Sequence, residues 1–197
     1  MTLMIKDFSV VYHDGDHSIQ AVEEITLTIK GGECLALVGE SGSGKTTLGK
    51  ACLGMLPENA ETEGRIFLNN LEIDFADETA LNQMRWQNIA MVFQNGAESL
   101  NPAYRIIDQV AEPVMEKGGE NRKAALKRAS RALFDMGLPE ACHTRYPYQL
   151  SGGQVQRSLL AMAMILDPDI LIMDEPTSAL DALTKSFVGQ IIRDYKK

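Results

Sequence analysis

The sequence predicts an α/β fold: a core of mostly parallel sheet flanked by helices, an antiparallel β subdomain at the N-terminus, and an inserted α-helical subdomain. Three observations predict it. Two stretches near the N-terminus alternate apolar and polar residues around a turn-rich break. A glycine-rich loop joins a short apolar run to a helical stretch. A second short apolar run closes a long region of helical periodicity.

"LMIKDFSVVY" (3–12) and "AVEEITLTI" (21–29) alternate as half-buried strands do, and "HDGDH" between them suits a hairpin turn. "ECLALVG" (33–39) is nearly continuous in apolar residues, the pattern of a strand buried on both faces. "KTTLGKACLGML" reads as the helix after the glycine loop; "GRIFLN" and "IAMVFQ" read as further strands. From about 104 to 141 the period becomes helical, in "RIIDQVAEPVMEK" and "ENRKAALKRASRALFDMGL". "SGGQVQRSLLAMAMIL" is another helix, "DILIMDE" a second buried strand ending in two acids, and "DALTKSFVGQIIRDYKK" a last amphipathic helix.

Composition excludes several classes. The 197 residues are 45% hydrophobic, enough for a core, and carry a net charge of −8. Without a dense Lys/Arg run, a nucleic-acid surface is not expected, because displacing counterions needs clustered positive charge. Cys34, Cys52 and Cys142 are too scattered for a metal-ligand pair or a disulfide framework and suit a reducing cytosol. The N-terminus does not read as a signal peptide, and no apolar run reaches the ~18 residues of a membrane span. Any service to a membrane would go through a partner.

Gly39, Glu40, Ser41, Gly42, Ser43, Gly44, Lys45, Thr46 and Thr47 spell "GESGSGKTT", which fits G-x-x-x-x-G-K-[ST] between a strand and a helix. Glycines let such a loop wind around a phosphate and turn its N–H groups inward. The helix start adds partial positive charge, Lys45 a mobile cation for the β- and γ-phosphates, and Thr46 a hydroxyl for Mg²⁺. The motif predicts a P-loop nucleotide hydrolase core. Asp174 and Glu175 end the run Ile170–Met173, where open parallel sheets bind ligands. Asp174 is expected to hold the metal and Glu175 to polarise the attacking water.

"YQLSGGQVQR" (148–157) raises a further question. Ser151 and Gln154 form a capping-box pattern, S-x-x-Q, which explains a well-started helix. It does not explain Gly152 and Gly153 in the first turn, each costing roughly 1 kcal/mol relative to Ala. Bare backbone N–H groups there could touch a phosphate. The first loop already surrounds one side of a nucleotide, so the second is expected to grip one held by another copy or a paralogue.

"LSGGQ", following "GESGSGKT" and shortly before "ILIMDE", resembles the signature of ATP-binding cassette proteins, and the resemblance spans essentially the whole chain. It implies head-to-tail pairing of two cassettes, as a homo- or heterodimer, with each ATP between one P-loop and the other chain's signature. It implies that Tyr12 stacks on adenine, that Gln94 approaches Mg²⁺ and the reacting water, and that Asp181 reaches across the dimer. "FQNGAESLNP" and "YPYQLSGGQ" look like the ATPases of peptide and nickel importers. The chain departs from that pattern in "NGAE", which lacks a proline, and at Val155, where Arg or Lys is common. The resemblance implies transmembrane permease subunits as partners, docked on residues 95–116, and a location at the cytoplasmic face of the membrane.

On the family pattern, 1–94 holds the antiparallel β subdomain and P-loop core, 95–165 the helical insertion with the signature, and 166–197 the second part of the core. The family also carries a histidine some way past the acid pair. No histidine follows Glu175 here, so one incomplete domain with weak turnover is expected.

His13 and His17 flank a glycine-containing turn and read as solvated loop residues; His143 has no neighbouring ligand in sequence, and Met162, Met164 and Met173 read as core. Two other classes remain: a chromosome-maintenance or repair ATPase, against which the short, heptad-free stretch between Gln94 and Ser151 argues, and a non-hydrolysing regulatory module, against which the acid pair argues.

Overall fold

A computed structural model of the chain describes residues 1–94 and 96–176, with residues 185, 186, 189, 190 and 193. It divides into two compact units, one of them Met1–Met84, the other beginning at Arg85.

The first unit is built on antiparallel strands. β1 (Thr2–Asp14) and β2 (His17–Lys30) form the expected hairpin, closed by Gly15 and Asp16, with His17 paired to Asp14. β3 (Ala60–Leu68) pairs with the other edge of β1, and β4 (Leu71–Glu72) with β3, giving the order β2-β1-β3-β4. Alternation works as read: Leu3, Ile5, Phe8, Val10, Ile66 and Leu68 are buried. Phe8 meets Phe75 at 6.0 Å between ring centroids. Two helices complete the unit, α1 (Lys45–Cys52) and α2 (Glu78–Met84). His13 and His17 are strand residues rather than loop residues; both are exposed, and His13 Nε2 lies 2.9 Å from Glu61 Oε2.

The expected strand "ECLALVG" does not form. Residues 33–40 join no ladder among the described residues, and Leu35, Leu37 and Val38 are 49%, 49% and 95% exposed. A parallel strand takes its hydrogen bonds from neighbouring strands and its stability from cover on both faces. Met1–Met84 supplies neither to this segment, so the apolar run stays without regular secondary structure.

The second unit carries the parallel pairing. β5 (Ile89–Val92) and β6 (Ile170–Met173) pair in parallel, each residue opposite the one 81 positions on. β6 is half-buried along its length rather than enclosed, having one strand neighbour among the described residues. Between these strands lie α3 (Ile106–Glu116), α4 (Arg122–Asp135), α5 (Glu140–His143) and α6 (Gly152–Met164). Asn121 caps α4, its Oδ1 accepting from the Ala124 N–H at 3.1 Å. Val110, Val114, Ala125, Ala129, Leu133 and Leu160 are fully enclosed where α3, α4 and α6 meet. The small alanines let the helices approach; each enclosed Leu or Val contributes about 1.5–3 kcal/mol. Arg128 ties the far end of α6, its Nη2 donating to the Ile165 carbonyl at 2.6 Å. The last helix read from sequence falls mostly outside the described residues.

Candidate functional site

In the first unit the glycine loop ends where α1 begins. Gly44 is the residue before the helix, at φ +84°, and a Cβ there would run into the Ala21 carbonyl of β2. Only glycine satisfies both the left-handed backbone and the close approach. Lys45 opens α1, and its Nζ donates to the Gly39 carbonyl (2.8 Å), the Glu40 carbonyl (2.6 Å) and Ser43 Oγ (3.2 Å). The ammonium is thus held over the loop, beside a helix N-terminus: a cradle for an anion. Glu40, Ser41 and Ser43 are exposed, whereas Thr46 and Thr47 are half-buried on α1. Tyr12 reaches this loop from β1, its hydroxyl donating to Thr47 Oγ1 at 3.2 Å. The hairpin therefore delivers an aromatic ring to the edge of the cradle.

In the second unit the parallel ladder sets the acids. Its last pair is Val92 with Met173, and the Asp174 N–H continues it by donating to the Val92 carbonyl at 2.9 Å. The same 81-residue offset brings Gln94 beside Glu175, and Gln94 Nε2 donates to Glu175 Oε2 at 2.7 Å. Asp174 is half-buried and Glu175 exposed, and Glu175 adopts φ +45°, a left-handed backbone unusual for a residue with a side chain.

The second glycine loop forms the start of α6. Ser151 Oγ accepts from the Gln154 N–H at 3.3 Å, and Gln154 Oε1 accepts from the Ser151 N–H at 3.0 Å: the capping box predicted from S-x-x-Q. Ser151 and Gly152 are exposed, and Gly153 and Gln154 half-buried. A Cβ at Gly152 would meet nothing within 4 Å. Nothing among the described residues requires glycine at this position.

The ABC transporter family model matches residues 22–178, a span that includes both glycine loops and the acid pair. The chain belongs to the ABC transporter family. Among ABC proteins of known structure it resembles the dimeric post-hydrolysis ATP-binding cassette MJ0796 bound to ADP and Pi. The TM-score is 0.88 and the identity 31%, over 99% of this chain and 83% of that one. The fold is accordingly the α/β P-loop cassette. It is 38% identical to the dipeptide transport ATP-binding protein DppD of Caldanaerobacter subterraneus subsp. tengcongensis, over 99% of this chain and 61% of the relative. It is 36% identical to the oligopeptide transport ATP-binding protein OppD of Salmonella typhimurium, over 99% of this chain and 59% of the relative. The ABC chain described here thus spans about three fifths of the length of these relatives.

Of the residues read from sequence, Tyr12 and the loop 39–47 come together in one unit, and Gln94, Asp174 and Glu175 in the other. Asp181 lies outside the described residues. Sequence reasoning missed the side chains that hold the second loop. Gln149 Oε1 accepts from the Tyr146 N–H at 3.0 Å, repeating one turn earlier what Gln154 does for Ser151. Arg157 donates from Nε to the Gly153 carbonyl (3.2 Å) and from Nη1 to the Gly137 carbonyl (3.1 Å). The spacing of Gln149 from Tyr146 was a visible signal; the reach of Arg157 to the end of α4 was not.

Proposed function

We propose that this chain binds and hydrolyses ATP as the nucleotide-binding subunit of an importer for peptides, working as a pair of cassettes docked on transmembrane permease subunits. The observation that carries the reading is Gly152: it is exposed and nothing among the described residues lies within 4 Å of where its Cβ would be, so the backbone at the start of α6 is bare. A phosphate held by a second cassette would find those N–H groups open. Ser151 would donate its hydroxyl to the same phosphate.

The chain's own loop would hold ATP through the N–H groups of 39–47 and the Lys45 ammonium, with the base against Tyr12. In the first unit Thr46 offers a hydroxyl, and in the second Gln94 offers an amide oxygen and Asp174 a carboxylate, hard oxygen donors of the kind Mg²⁺ takes. Mg²⁺ held by them would supply positive charge toward the phosphate oxygens. Glu175 would orient and polarise water, with Gln94 fixing its carboxylate.

The peptide assignment draws on the relatives, which are dipeptide and oligopeptide transport subunits. No helix among the described residues is long and apolar enough to cross a membrane. On the importer reading, contact with a membrane would run through a permease, at the cytoplasmic face. A groove of about 440 Å³ in the second unit suits that docking; Trp86, Ser99, Gln109, Glu112, Glu116 and Lys117 line it.

Ser151→Arg tests the reading. It should leave ATP binding to the single chain intact and abolish ATP-dependent pairing, read by sedimentation with a non-hydrolysable analogue. Equal pairing of both proteins would reduce the second loop to a helix cap.

A further inference from the structure

We infer that Cys142 is a positioning residue for the second glycine loop, bracing the Gln154 amide whose oxygen supports Ser151. The inference rests on the reading that this loop grips a partner's nucleotide.

Gln154 is engaged on both ends of its amide. Oε1 accepts from the Ser151 N–H at 3.0 Å, and Nε2 donates to Cys142 Sγ at 3.5 Å. A glutamine amide is planar and nearly symmetric in shape, so its hydrogen-bond partners decide which end faces which neighbour. A half-turn of the amide would set its NH₂ against the Ser151 N–H, donor against donor, and its oxygen against the sulfur. The Ser151 N–H therefore sets which end of the amide faces it, and the buried thiol, accepting from Nε2, holds the amide in that place.

Cys142 can do this because it cannot move away. It is 4% exposed and sits on α5 beside His143, 3% exposed. His143 is tied at both nitrogens: Nε2 lies 3.0 Å from the Leu138 carbonyl and Nδ1 3.3 Å from Ser130 Oγ on α4. A carbonyl only accepts, so Nε2 donates to Leu138, and Nδ1 shares its hydrogen bond with the Ser130 hydroxyl. A continuous line of contacts thus runs from α4 through His143 and Cys142 to Gln154 and Ser151. The Arg157 bridge from the Gly137 carbonyl to the Gly153 carbonyl braces the same loop from the other side. The helical subdomain grips the loop by side chains at defined points, and the thiol is the contact that braces the amide.

The test uses the full chain, with a non-hydrolysable ATP analogue as probe. Cys142→Ala should raise the concentration for half-maximal ATP-dependent pairing about 2- to 10-fold, the range of one neutral hydrogen bond. Affinity of the single chain for the analogue should be unchanged. Cys142→Ser keeps a donor and acceptor at the site and should recover most of the loss. In a Gln154→Ala background, Cys142→Ala should have no further effect. Independently of pairing, exchange of the Ser151 amide proton should speed by a similar factor in Cys142→Ala and not in Cys142→Ser. Equal effects of Cys142→Ala with and without Gln154, or unchanged Ser151 exchange, would make the thiol a core filler and overturn the inference. Faster exchange alongside normal pairing of Ser151→Arg would instead keep the positioning role and remove the nucleotide-gripping role of the loop.

Discussion

Gln94 donates to the Glu175 carboxylate at 2.7 Å, the ladder offset of β5 and β6 carried two residues past its last pair. The amide fixes one carboxylate oxygen of Glu175 in place. Gln94→Ala should lower steady-state phosphate release about 10-fold while ATP affinity, read by calorimetry, holds. Gln94→Glu would set two carboxylates in contact in place of the hydrogen bond and should lower phosphate release at least as far. Release unchanged in both variants would separate Gln94 from the acid.

Lys45 makes three hydrogen bonds to its own loop, to Gly39, Glu40 and Ser43. Its ammonium is therefore held where the loop would take a phosphate. Lys45→Ala should weaken ATP binding roughly 10- to 100-fold, the range for hydrogen bonds to charged groups. Calorimetry should show the loss for ATP and ADP and little change for adenosine. Equal losses for all three would mean that the loop has collapsed rather than lost a charge.

Two glycines should respond oppositely to alanine. Gly44 combines φ +84° with the Ala21 carbonyl against its Cα, so Gly44→Ala should cost about 2 kcal/mol or more. Gly152 faces open space, so Gly152→Ala should stabilise the chain by about 0.5 kcal/mol through helix propensity and lower unfolded-state entropy. Yet Gly152→Ala should weaken ATP-dependent pairing. Urea unfolding gives the first quantity and sedimentation the second. A stabilised variant that pairs normally would show that the glycine serves neither fold nor partner.

Local signals carried most of the fold into the sequence. The β1–β2 hairpin follows from period-two alternation around "HDGDH", α4 from helical spacing, and α6 from helical spacing and the S-x-x-Q cap at Ser151. Residues 33–40 were misread because an apolar run states only that cover is wanted, while a strand also needs neighbours to bond. The candidate site divides the same way. Lys45, Thr46, Asp174 and Ser151 sit in motifs with fixed spacing. Cys142 and Arg157 reach the second loop from distant positions, and the bond between Gln94 and Glu175 depends on strand register, which no local pattern states.

Cys52, on α1 just after the glycine loop, gives the chain an alkaline weakness. Burial disfavours the thiolate and pushes the Cys52 thiol up to about 12 from an ordinary 9.0; its hydrogen bond to the backbone offsets this only in part. Between pH 9 and about 12 the unfolded chain releases the proton while the folded chain keeps it. The folded state then binds more protons than the unfolded one, so stability falls as pH rises. The slope approaches about 1.4 kcal/mol per pH unit for this one group, and the contribution is fully retained below pH 9. Lysines and tyrosines titrate in the same range, so the measurement is a difference between the parent and Cys52→Ala. Urea midpoints of the parent should fall faster with pH above 9, while those of Cys52→Ala should lack that component. Parallel curves for the two proteins would mean that the thiol ionises in the folded chain as readily as in the unfolded one.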